Sequence, residues 1–144
     1  MQAQHKTTLT RWAVGYAKQF ILPMWEKHCP QDHRPKDALD AALSWLAGEI
    51  KLPAARAAIL ACHAAARESS GIPAAQAAAR AIAHTASIVH TPKHGPGLAL
   101  YGALAVAYDQ LGIDTDWKTI EPIAAEECLR MTKSLQAFSN VFEE

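Results

Sequence analysis

The chain has 144 residues and no net charge at neutral pH, with fourteen Lys/Arg against fourteen Asp/Glu. That length suits one domain with one core, and the balance argues against the bulk phosphate attraction behind most nucleic-acid binding. No run approaches the roughly 18 apolar residues of a membrane span.

Thirty residues are Ala, and twenty-four of them lie between Ala38 and Ala107. Alanine is the best helix former and has little bulk, so the composition predicts an all-α domain of closely packed helices. The opening MQAQHKTTLTRW lacks the apolar core of a signal peptide, which places the expected site of action in the cytoplasm. Cys29, Cys62 and Cys128 are odd in number and widely spaced, so three reduced thiols are expected.

In chain order, Leu9, Trp12, Tyr16 and Phe20 have helical spacing, and Pro23 is expected to kink or end that first helix. Pro35, Pro53, Pro73 and Pro96 then each precede an Ala-rich or apolar stretch, as Pro does in a helix's first turn. Gly71 and Gly112 stand where helices should stop. The four central stripes are Leu39, Ala42, Trp45, Leu46 and Ile50; Ile59, Cys62 and Ala66; Ala75, Ala78, Ile82, Ala86 and Val89; and Leu98, Tyr101, Ala105, Tyr108 and Leu111. The last stripe, Ala124, Cys128, Met131, Leu135, Phe138 and Phe142, lies in an acidic C-terminal helix over about 117–142. It is a seam for the domain's own core, for a second copy or for a partner protein. Six helices packed as antiparallel hairpins follow, and similar proline-led segments admit a HEAT-like or armadillo-like array.

Charge is unevenly placed. Residues 1–108 carry eleven bases against six acids, residues 109–144 three against eight, and no acid occurs between Ser69 and Tyr108. Asp114, Asp116, Glu121, Glu126 and Glu127 are therefore candidates for meeting a basic protein partner.

His90 and His94 have the spacing of two metal ligands on one helix face, but Pro92 between them puts both on a turn, and no third ligand with recognisable spacing follows. With Lys93 they flank the helix start at Pro96, so the turn is a second partner-binding or anion-binding candidate. His63 and His84 fall on consecutive helices. With His63 level with Ala79, His84 lies roughly 7.5 Å further along the axis, too far for a shared ion. Tyr101, Tyr108 and Asp109 approach the histidine turn without forming a recognisable catalytic set. No nucleophile elbow, P-loop, dinucleotide fingerprint or HExxH occurs. Neither catalysis nor a cofactor is expected.

Asp32, Arg34 and Asp37 surround the helix start at Pro35, where an acid at Asp37 reaches free N–H groups, and Glu49 ends the same helix within reach of Arg56 or Arg67. These read as a structural polar group.

The segments DHRPKDALDAALSWLAGEI, AARAAILACHAAARE and AAQAAARAIAHTASIVHTPKHGPGLALYGALAVAYD together resemble the Imm-five-like putative immunity proteins of bacterial polymorphic-toxin systems. The resemblance covers about residues 9–111. It rests on Asp32, Arg34 and Pro35, on Trp45 with Gly48 and Glu49, on His63 to Arg67, and on His90, Pro92 and His94 leading to Tyr101. It implies a helical cytoplasmic protein that neutralises a cognate toxin by stoichiometric binding. From the residues alone, a metal- or small-molecule-binding protein using the His90–His94 turn and a housekeeping helical scaffold or oligomer remain alternatives.

Overall fold

The computed structural model describes residues 10–87, 102, 105, 106, 108–110 and 117–143. Every regular element among them is helical and none is a strand. Helix α1 spans residues 10–28, α2 Arg34–Leu46, α3 Leu52–Glu68, α4 Pro73–Ser87 and α5 Trp117–Glu143, and the described residues between 102 and 110 are helical too.

Pro23 does not end α1. The chain passes through a π-helical turn at Ala17–Ile21 and resumes α-helix at Leu22–His28, with Pro23 in the first turn of the resumed segment. A proline there lacks only a donor that a helix start leaves unused. The wider turn also shifts the buried face. Trp12, Tyr16, Ile21 and Trp25 are buried, whereas Phe20, expected in the stripe, is 38% exposed and rests its ring against Tyr16.

Three of the expected proline-led starts are helix starts, at Pro35, Pro53 and Pro73; Pro96 lies outside the described residues. Helix α2 stops three residues before Glu49. Gly48 takes φ +80°, its N–H donates to the Trp45 carbonyl at 3.0 Å, and the Glu49 N–H donates to the Ser44 carbonyl at 2.8 Å. This is a Schellman cap, which leaves Ile50 beyond the helix rather than in its stripe.

Helix α4 occupies the centre. Eleven of its fifteen residues are buried, because it packs against α1, α2 and α3 together. A helix covered on so many sides cannot carry a one-sided stripe, and its small Ala side chains let the neighbours close in. Helices α3 and α4 run antiparallel: Gln76 donates to the Ala66 carbonyl at 3.1 Å, while Cys62 donates to the Ala79 carbonyl at 3.3 Å. The contact of α2 with α4 as well as α3 makes a bundle around a buried helix.

Candidate functional site

The polar group at the start of α2 is a closed ion network. Asp32 accepts the Arg34 N–H at 3.1 Å and also holds the guanidinium, with Nε 2.9 Å and Nη2 2.7 Å from its two oxygens. Nη2 also donates to Glu68 at the end of α3, a partner with no spacing signal in the sequence. These bonds hold the Asp32 carboxyl below its ordinary range and push the Arg34 guanidinium up. Asp32, rather than Asp37, caps the helix; Asp37 is exposed in the first turn. The network fixes α2 against α3 and spends its charges internally.

Glu49 pairs with neither Arg56 nor Arg67. It faces an open cleft of about 310 Å³, lined also by Arg11, Leu43, Ser44, Leu46 and Ala47. The Schellman turn holds its backbone to Ser44 at the end of α2, and Arg56 and Arg67 are exposed. Trp45 is half-buried and packs on the core.

On α3 and α4, His63 lies opposite Arg80, as the expected register requires, and Arg80 Nη1 bonds to His63 Nδ1. The side chains span more than the backbone offset suggested: the His63 and His84 rings meet edge-on, with centroids 5.7 Å apart and planes at 85°. Cys62 next to them is fully buried, and that burial pushes its thiol up to about 12. No group of three metal-binding side chains occurs among the described residues.

Helix α5 carries the largest correction. Glu127, expected among the exposed acids, is 1% exposed. It accepts a hydrogen bond from the Tyr16 hydroxyl and pairs with Arg130 at 2.8 Å. Burial, then the carboxylate, pushes the Tyr16 hydroxyl well above its ordinary range. One turn on, Met131 is 4% exposed in the core, and Ser134 accepts the Trp12 indole N–H at 3.0 Å. The inward face thus runs through Glu127, Met131 and Ser134, whereas Cys128 is exposed. At Met131 the expected seam is taken by the chain's own core; the side chains of Leu135, Phe138 and Phe142 lie outside the described residues.

Glu121 and Glu126 are exposed, together with Leu129 at 54%. Asp109 pairs with Lys27 at 2.6 Å and lies 3.6 Å from His28 at the end of α1. His90, Lys93, His94, Tyr101, Asp114 and Asp116 lie outside the described residues. Among the described residues, no helix is long and apolar enough to cross a membrane.

The family model described as "Imm-5 like putative immunity protein" matches residues 1–134. The chain belongs to this family. No curated protein and no solved structure matches it. The Imm-five-like match runs past residue 111, where the sequence resemblance ended, and takes in most of α5 with Glu121, Glu126, Glu127 and Met131. The Tyr16–Glu127 contact therefore lies wholly within the family match.

Proposed function

We propose that the chain is an immunity protein that neutralises a cognate bacterial toxin in the cytoplasm, by stoichiometric binding and without turnover. The observation that carries this reading is membership of the Imm-five-like family across residues 1–134. The outer face of α5 supplies the chemistry of a partner. Glu121 and Glu126 are exposed there, in a C-terminal stretch with eight acids against three bases. Such a surface attracts a basic toxin face and speeds encounter more than it sets final affinity.

The test is co-expression with the toxin-like gene nearest in its genome, scored by survival and by co-purification at a one-to-one ratio. Rescue together with a stoichiometric complex is the expected result. A toxic neighbour that is neither bound nor neutralised overturns the reading and leaves a helical scaffold in its place.

A further inference from the structure

We propose that the cleft between Arg11 and Glu49 binds a small apolar zwitterion, the chemistry of a free apolar amino acid or dipeptide. The site goes beyond the immunity reading and does not depend on it. The cleft lies where the start of α1 meets the end of α2: Arg11 comes from α1, Leu43, Ser44 and Leu46 from the last turns of α2, and Ala47 and Glu49 from the turn that follows. Its volume of about 310 Å³ falls at the lower end of ligand pockets, about 300–1,000 Å³, which limits the occupant to a small molecule. Leu43, Ser44 and Leu46 are half-buried, whereas Arg11 and Glu49 are exposed, so the apolar surface is the more enclosed part and the charges stand toward solvent.

Charge selects the class. Arg11 and Glu49 line one cleft without forming an ion pair with each other, and among the described residues neither forms one elsewhere. In the same structure Lys18 meets Asp40 and Arg34 meets Asp32. The Arg11 fork matches a planar carboxylate in two parallel bonds. Glu49 follows the carbonyl end of α2, which favours positive charge, and so attracts an ammonium group. The Ser44 hydroxyl both donates and accepts, and can serve either group. A simple anion meets repulsion from Glu49, a simple cation or metal ion meets repulsion from Arg11, and a single side chain inserted by a protein partner offers one charge rather than both. A molecule carrying a carboxylate and an ammonium satisfies the two walls together, and an apolar body between them covers Leu43, Leu46 and Ala47.

Leucine and leucyl-leucine are the probes, titrated into the full chain at pH 7 and followed by amide resonances; the second, with its charges further apart, tests the span. Saturable one-to-one binding of at least one is expected, with shifts concentrated at Arg11 and residues 43–49. The N-acetylated and the amidated forms of the tighter probe each keep one charge and should bind about tenfold more weakly or worse. Glu49→Gln should weaken the zwitterion by a similar factor and leave the N-acetylated form unchanged; Arg11→Gln should weaken it likewise and leave the amidated form unchanged. Both positions are exposed, so far-UV circular dichroism should not change, and if a variant does lose helicity the blocked probes on the wild type decide. No saturable binding of either probe, a blocked form bound as tightly as the zwitterion, or equal affinity in wild type and both variants would each overturn the assignment.

Discussion

The Tyr16 hydroxyl donates to the buried Glu127 carboxylate, joining α1 to α5 across 111 positions of the chain. Among the described residues Glu127 has only Arg130 besides, and Arg130 is itself largely exposed. Tyr16→Phe removes one donor from a buried charge without changing the ring. The expected cost is about 1.5–3 kcal/mol, the range for hydrogen bonds to charged groups, read as a lower urea midpoint with unchanged slope. A midpoint equal to wild type would mean that α5 does not dock through this contact.

The same contact makes stability fall in alkali. Tyr16 titrates higher in the folded chain than in the unfolded one, chiefly through burial and then through Glu127. Its contribution is complete below the unfolded value of about 10 and is lost as pH rises above it, where the unfolded state releases the proton first. Urea midpoints from pH 8 to 11 should decline more steeply in wild type than in Tyr16→Phe.

Asp32 acts at the opposite end of the scale. Its carboxyl is lowered by Arg34, so its stabilisation is present above the unfolded value of about 3.9 and is lost as pH falls through the lower folded value. Both partners are partly exposed, so Asp32→Asn should cost at most about 1 kcal/mol at neutral pH. The variant should lose less stability than wild type between pH 4 and 2.5, checked by denaturant midpoints. Glu68, more exposed on the outer side of the same guanidinium, should matter less.

The helices were legible because Pro35, Pro53 and Pro73 mark first turns, and the alanines between them favour one conformation. Pro23 carries the same local signal as those three. Its different outcome depends on a π turn whose extra residue no periodicity announces. Glu127 was misread for a related reason: carboxylates are exposed by default, and the distant Tyr16, together with Arg130, makes its burial tolerable. The antiparallel register set His63 level with Ala79, next to its observed partner Arg80, but that bond and the approach of His84 depended on side-chain reach. Long-range partners such as Glu68 for Arg34 leave no mark at fixed spacing.

Gly48 enters the sequence reading only through the family resemblance, with the stripe carried on to Ile50, yet its left-handed backbone has a measurable consequence. At φ +80° a side chain is strained, although a Cβ there would meet nothing within 4 Å. Gly48→Ala should therefore destabilise by about 1–2 kcal/mol through backbone strain alone. Gly48→Asn should cost less, since Asn tolerates the left-handed region. Thermal unfolding of the two variants checks the order, and an alanine variant as stable as wild type would remove the Schellman turn from the account.

Charge reversal on α5 distinguishes its outer acids from the inner one. Glu121→Lys with Glu126→Lys changes two exposed positions and should leave folding stability within about 0.5 kcal/mol of wild type. Against a basic toxin the double variant should associate about tenfold more slowly at low salt, because steering acts on encounter. Raising the ionic strength from 20 to 200 mM shortens the screening length to below about 10 Å and should shrink the difference. Stopped-flow association with the neighbouring toxin at the two salt concentrations measures both effects. Equal rates at low salt would place the interface elsewhere. Glu127→Lys behaves differently by construction: it buries a cation beside Arg130 and should fail in stability before binding can be scored. A surface acid and a buried acid one residue apart thus give opposite signatures, slower encounter with intact folding for Glu126 and lost folding for Glu127.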